Sequence, residues 1–139
     1  MGTSRLFVTK EDVFTLAVLF TKEGELKVAR ESNVKEEDKD KWERFEVEFS
    51  MPDFGTSKAI MRNSTEFDRG STMLNASAFT NSLLTALARK WNLKDDKGQE
   101  IPLDLQKLNE LRPDIARMFI ELLQEKLTKE GVYEAILLS

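Results

Sequence analysis

The sequence predicts an α+β protein, with a small N-terminal antiparallel β part followed by a C-terminal bundle of about three helices. Two patterns and one shift in composition carry that expectation. Phe45, Val47 and Phe49 alternate with Glu46 and Glu48, the period of a strand with one face on a core. From Ala76 to Leu127 apolar residues instead recur three and four apart, the period of a helix face. A polar stretch between the two divides the chain into a β-rich part, 1–62, a polar linker, 63–73, and a helical part, 74–139.

Taken in order, Leu6-Phe7-Val8 is a short apolar cluster after a loose end. Thr9 and Asp12 have the spacing of a capping box, which would open a helix. Against that, Val13, Phe14, Thr15, Val18 and Phe20 are β-formers, Thr21-Lys22-Glu23-Gly24 is turn chemistry, and Glu25 to Ala29 alternates. A β-hairpin is the favoured reading of the two. The charge-rich stretch that follows, Glu31 to Lys41, holds one large apolar residue, Val34, and is expected to be a mobile, solvated loop. An exposed helix held by opposite-charge pairs is the alternative. The strand Trp42 to Phe49 comes next, and Met51-Pro52-Asp53-Phe54-Gly55 ends it. Ala59 to Met61 is read as a third short pairing segment.

In the helical part, Ala76, Phe79, Leu83, Leu84, Leu87 and Trp91 fall on one side of a helix. Lys94 to Gly98 breaks the pattern with turn residues, Gly98 being free to take positive φ. Asp104 is placed to cap a second segment, and Pro113 suits the first turn of a third. In that last helix Ile115, Ala116, Met118, Phe119, Ile120, Leu122, Leu123 and Leu127 span an arc of roughly 200° at about 100° per residue, where one core needs little more than about 100°. Two accounts of the excess stand side by side. The first helix and the β part each cover a flank, or a partner protein does, with methionine adapting to it. Gly131 ends the helix. The apolar segment Val132 to Leu138 is expected to fold back or to dock on a neighbouring chain, which leaves a homo-oligomer open.

Composition removes several functional classes. Cysteine and histidine are absent, which excludes disulfides, thiolate or imidazole zinc sites, cysteine nucleophiles and histidine bases. A net charge of −4 with interspersed lysines suits neither a nucleic-acid backbone nor an anionic membrane. The longest apolar run, Leu16 to Phe20, is far short of the about 20 residues of a membrane helix. No signal-peptide pattern opens the chain, so a soluble, cytoplasmic protein is expected. Asp95 to Glu100 looks superficially like a calcium loop, but Lys97 interrupts the oxygen ligands and Gln106 stands where the bidentate glutamate belongs. Neither Arg62 to Thr65 nor Asp68 to Ser71 forms a phosphate cradle. No acidic pair marks a cleft. The expectation is a non-enzymatic protein without catalytic residues, metal or cofactor.

The stretch from Leu74 to Leu127 resembles the tail assembly chaperones of long-tailed bacteriophages. The likeness rests on Met73-Leu74-Asn75-Ala76 before a helix, and on its end in Leu87-Ala88-Arg89-Lys90-Trp91-Asn92-Leu93. It continues through the acidic glycine turn Lys94 to Leu103, the leucines Leu105, Leu108 and Leu111, and Arg112-Pro113-Asp114-Ile115-Ala116 leading an amphipathic helix. The resemblance implies a non-enzymatic role in the host cytoplasm: binding the helical tape-measure protein and keeping it soluble until tube subunits polymerise around it. Such proteins are usually absent from the finished virion, and some are also made in a longer, frameshifted form. The residues expected to meet the partner are Trp91, Met118, Phe119, Leu122, Leu123 and Leu127. The rival expectation is a small virion structural protein, a tail or head-completion subunit, using the hairpin and the C-terminal segment for contacts.

Overall fold

The computed structural model describes residues 6–63, 65–68, 71–74 and 76–131, and side chains other than those of 61 and 63–81. The chain is α+β. Strands β1 (Val13–Thr21), β2 (Val28–Arg30), β3 (Trp42–Ser50) and β6 (Ala88–Trp91) form one antiparallel sheet in the order β2-β1-β3-β6. Helices α2 (Ala76–Leu87) and α4 (Pro113–Lys129) supply the helical side of the core. Helices α1 (Phe54–Asn63) and α3 (Leu105–Asn109) complete the helical set, and β4 (Thr65–Asp68) pairs with β5 (Ser71–Leu74) in a separate hairpin.

The favoured hairpin forms, with Gly24 at φ 77° in its turn. Thr9 and Asp12 do bond as a capping box would, Thr9 N–H to the Asp12 carboxylate at 2.7 Å, but the turn they close feeds β1. The β-branched and aromatic residues after it decide the outcome. In β1, Phe14, Leu16 and Val18 stand opposite Phe49, Val47 and Phe45, so these residues share the inner face. Val18, Val47 and Phe49 are at most 1% exposed there. Phe119 of α4 fits between two of these rings, edge-on to Phe45 at 5.1 Å and tilted to Phe49 at 6.4 Å. Leu83, Leu84 and Leu87 of α2, Leu123 and Leu127 of α4, and Ile60 of α1 close the same core.

Four expectations are corrected. The segment Glu31 to Lys41 forms two 3-10 turns, Glu31–Asn33 against β1 and Glu36–Lys41 against β3. Leu19, on the outer face opposite Arg44, is 5% exposed. Arg44 ties the first turn to the sheet through Glu31 at 3.0 Å. Ala59 to Met61 lies in α1 and not in a strand, because Asp53 caps that helix by accepting the Thr56 N–H at 2.7 Å. The stretch read as a linker, 63–73, holds most of the β4–β5 hairpin. Helix α2 stops at Leu87, and Ala88–Trp91 pairs with β3 past an irregularity at Glu48/Phe49. The sheet of the N-terminal half is thus completed from the helical half. The turn at Gly98 (φ 79°), the Asp104 cap on the Lys107 N–H at 2.8 Å, Pro113 at the start of α4 and Gly131 (φ 74°) after it all stand as read. The segment Val132 to Leu138 lies outside the described residues.

Candidate functional site

The six residues expected to meet a partner separate into two groups. Phe119, Leu123 and Leu127 are at most 1% exposed and belong to the chain's own core, so a partner cannot reach them. Trp91, Met118 and Leu122 are half-buried and pack against that core. The Trp91 indole N–H donates to the Ile101 carbonyl at 2.5 Å, which pins the Lys94–Gly98 turn to β6. Ile115 and Ile120 are also half-buried against the core. The broad apolar arc of α4 is therefore covered by β1 and β2 on one flank and α2 on the other. Of the two accounts of that arc, internal packing is the one the structure bears. Periodicity measures how wide an apolar face is; it does not say what lies on it.

Exposed apolar surface lies elsewhere. The large hydrophobic residues most open to solvent among the described ones are Leu6, Phe7, Val8, Val13, Phe54 and Leu105. Five of these gather where β1 begins, β3 ends and α1 starts. Val13 pairs with Ser50, the last residue of β3, and Phe54 opens α1 four residues later. A groove of about 290 Å³ lies beside the end of β3, its wall including Val8, Met51, Pro52, Thr56 and Leu87. Phe7 is 69% and Phe54 58% exposed, and Lys58 stands 5.3 Å over the Phe54 ring. Two bonds hold the arm that carries Leu6 to Val8 in place: the Arg89 guanidinium donates to the Lys10 carbonyl at 3.0 Å, and the Met51 N–H to the Asp12 carbonyl at 2.8 Å. The Leu6-Phe7-Val8 cluster was legible in the sequence. That Val8 lines one groove with Met51, Pro52 and Thr56, far along the chain, had no sequence signal.

Several carboxylates hold local structure. Asp95 accepts the N–H groups of Lys97 and Gln99 at 2.9 and 3.0 Å, so the calcium-like stretch is a turn organised around its own first residue. The Asp53 carboxyl is held below its ordinary range by the Thr56 N–H and hydroxyl. Arg30 lies between Glu125 at 2.8 Å and Glu121 at 3.5 Å, joining β2 to α4. Among the described residues no cluster of three acidic side chains could hold a metal ion, and no helix is long and apolar enough to cross a membrane. No protein-family model, no curated protein and no solved structure matches the chain.

Proposed function

We propose that this chain is a non-enzymatic protein-binding module of the tail assembly chaperone kind, which holds a helical stretch of a tape-measure protein soluble during phage tail assembly. The observation that carries the binding part is the exposed apolar set Leu6, Phe7, Val8, Val13 and Phe54, called the pole below, with Val8 lining the groove at the start of α1. Contiguous exposed apolar surface rimmed by polar residues marks an interaction site more often than it marks an ordinary surface. Thr9, Lys10, Asp53 and Lys58 supply such a rim. A groove between a sheet end and a helix start suits the apolar stripe of an amphipathic helix. The choice of partner rests on the resemblance over Leu74 to Leu127.

The proposal moves the partner surface from α4 to this pole. Co-expression of the full chain with the tape-measure protein tests it. The expected result is co-purification and a soluble tape-measure protein. Phe7→Glu and Phe54→Glu together should abolish both while leaving the melting temperature unchanged. Retained binding in that double variant, or no binding by the wild type, overturns it. A small virion structural subunit would expose a similar pole, and finding the chain in purified particles would favour that reading instead.

A further inference from the structure

Helix α1 turns a row of charge outwards. Ser57 and Ile60, 3% and 6% exposed, mark its inner side, and α2 packs against the helix. At about 100° per residue, Phe54, Lys58 and Arg62 form a row four apart, away from that side. All three are exposed. The ten residues of α1 include these two cations and no acid, in a chain whose net charge is −4.

The two cations are also open. Several elsewhere stand against carboxylates: Arg30 on Glu125, Lys39 on Glu36, Arg44 on Glu31 and Lys126 on Glu130. Lys58 instead lies over the Phe54 ring, and neither Lys58 nor Arg62 has a carboxylate partner among the described residues. The acid next to the helix, Asp53, accepts the Thr56 N–H at 2.7 Å. The groove beside the helix start carries one cation, Lys10, and one acid, Asp53, so the positive character belongs to the helix row. An exposed ring supplies area to bury, and open cations beside it select the sign of what buries it.

We infer that the outer row of α1 docks an amphipathic helix of another protein, which sets an apolar side chain on Phe54 and acidic side chains against Lys58 and Arg62. The main-chain groups of α1 are bonded within the helix, so an extended strand has nothing to pair with there; recognition falls to side chains, as between two helices. Cations four apart on one helix lie about 6 Å apart along its axis, and so do acids four apart on another. A second copy of this chain pairing through the same row would set Lys58 and Arg62 against themselves. The inference deepens the proposed function. It rests on Phe54 belonging to a docking surface, and not on the partner's being a tape-measure protein.

Three synthetic peptides test it on the full chain. The first carries a stripe of leucines flanked by glutamates four apart, the second has lysines for the glutamates, and the third scrambles the first. The glutamate peptide should bind at least about fivefold tighter than the lysine peptide, the scale of two exposed ion pairs. That preference should shrink at about 1 M salt, where charges are screened beyond about 3 Å. Amide resonances of α1 should shift on binding. Lys58→Glu together with Arg62→Glu should reverse the preference, so that the lysine peptide binds tighter, and should move the melting temperature by under roughly 2 °C. Phe54→Ala should weaken the glutamate peptide. No binding of that peptide at about 1 mM, equal binding of the lysine or scrambled peptide, an unreversed preference in the double variant, or shifts that miss α1 would overturn the inference. So would binding to phosphatidylserine vesicles in place of the peptide, which would assign the row to a membrane surface. Co-purification separates the two proposals. A charge-reversed variant that holds the tape-measure protein as well as the wild type does sinks this inference alone. A wild type that holds none of it but keeps the peptide preference sinks the chaperone reading alone.

Discussion

Replacing Phe119 by alanine separates a core role for α4 from a docking role. The ring is 1% exposed and contacts Phe45 and Phe49 from two directions. Losing a phenylalanine from such a site costs about 3–5 kcal/mol, from lost transfer energy and from the cavity left behind. Unfolding entropy of about 2.1 cal/mol/K per residue makes each kcal/mol worth roughly 3 °C in a chain of 139 residues. The melting temperature should therefore fall by roughly 10–17 °C, a large share of the about 5–15 kcal/mol that holds a domain folded. Phe54→Ala is the internal control. Phe54 is 58% exposed, and surface changes of this kind stay within about 0.5 kcal/mol, or under roughly 2 °C. The assay is thermal unfolding followed by circular dichroism for both variants side by side. A shift for Phe119→Ala below roughly 3 °C, or no larger than that of Phe54→Ala, would show that the α4 face is not core. The original placement of the partner surface would then return.

Three smaller predictions follow from local geometry. Asp53→Ala removes the cap of α1 and should cost about 0.5–2 kcal/mol at neutral pH, towards the lower end because the carboxylate is exposed. Because the folded carboxyl lies below its ordinary value of 3.8, its contribution is present above that value and is lost as pH falls through the lowered one. The gap in melting temperature between wild type and Asp53→Ala should thus close in strong acid; a constant gap would refute the capping role. Trp91→Phe keeps the ring's packing but removes the donor to Ile101, and should lower stability by about 1 kcal/mol in denaturant titration. It should also speed amide exchange in the Lys94–Gly98 turn. Gly98→Ala should cost about 1–2 kcal/mol through backbone strain alone, since φ is 79° and nothing lies within 4 Å of the added methyl group; an unchanged melting temperature would contradict the left-handed turn.

What was legible in the sequence was what depends on neighbours along the chain. The alternation Phe45-Glu46-Val47-Glu48-Phe49 sets β3, and Asp104, Pro113 and Gly131 bound their helices. What was missed depends on residues far apart. Ala88 to Trp91 follows Leu87 without a breaker, so the helical period runs on past the end of α2; pairing with β3 overrides it. Helix α1 has few apolar residues and Gly55 in its first turn, so its period is faint. Its cap, Asp53 three residues before Thr56, was the signal available. Three of the six expected partner residues, Phe119, Leu123 and Leu127, turn out to be core for a related reason. A helix face shows its width in sequence, but Phe45, Phe49 and the leucines of α2, which cover it, are known only once the chain has folded.

The late arrival of β6 has a consequence for synthesis. Until Trp91 has left the ribosome, the side of β3 that β6 will cover, along Val47 to Phe49, stays bare. A nascent chain of this kind depends on delay: the first three strands can associate at once, whereas their last neighbour is added only after α1, the β4–β5 hairpin and α2 have been made. A truncation ending at Asn63 should therefore collect in inclusion bodies, and one ending after α4 should not.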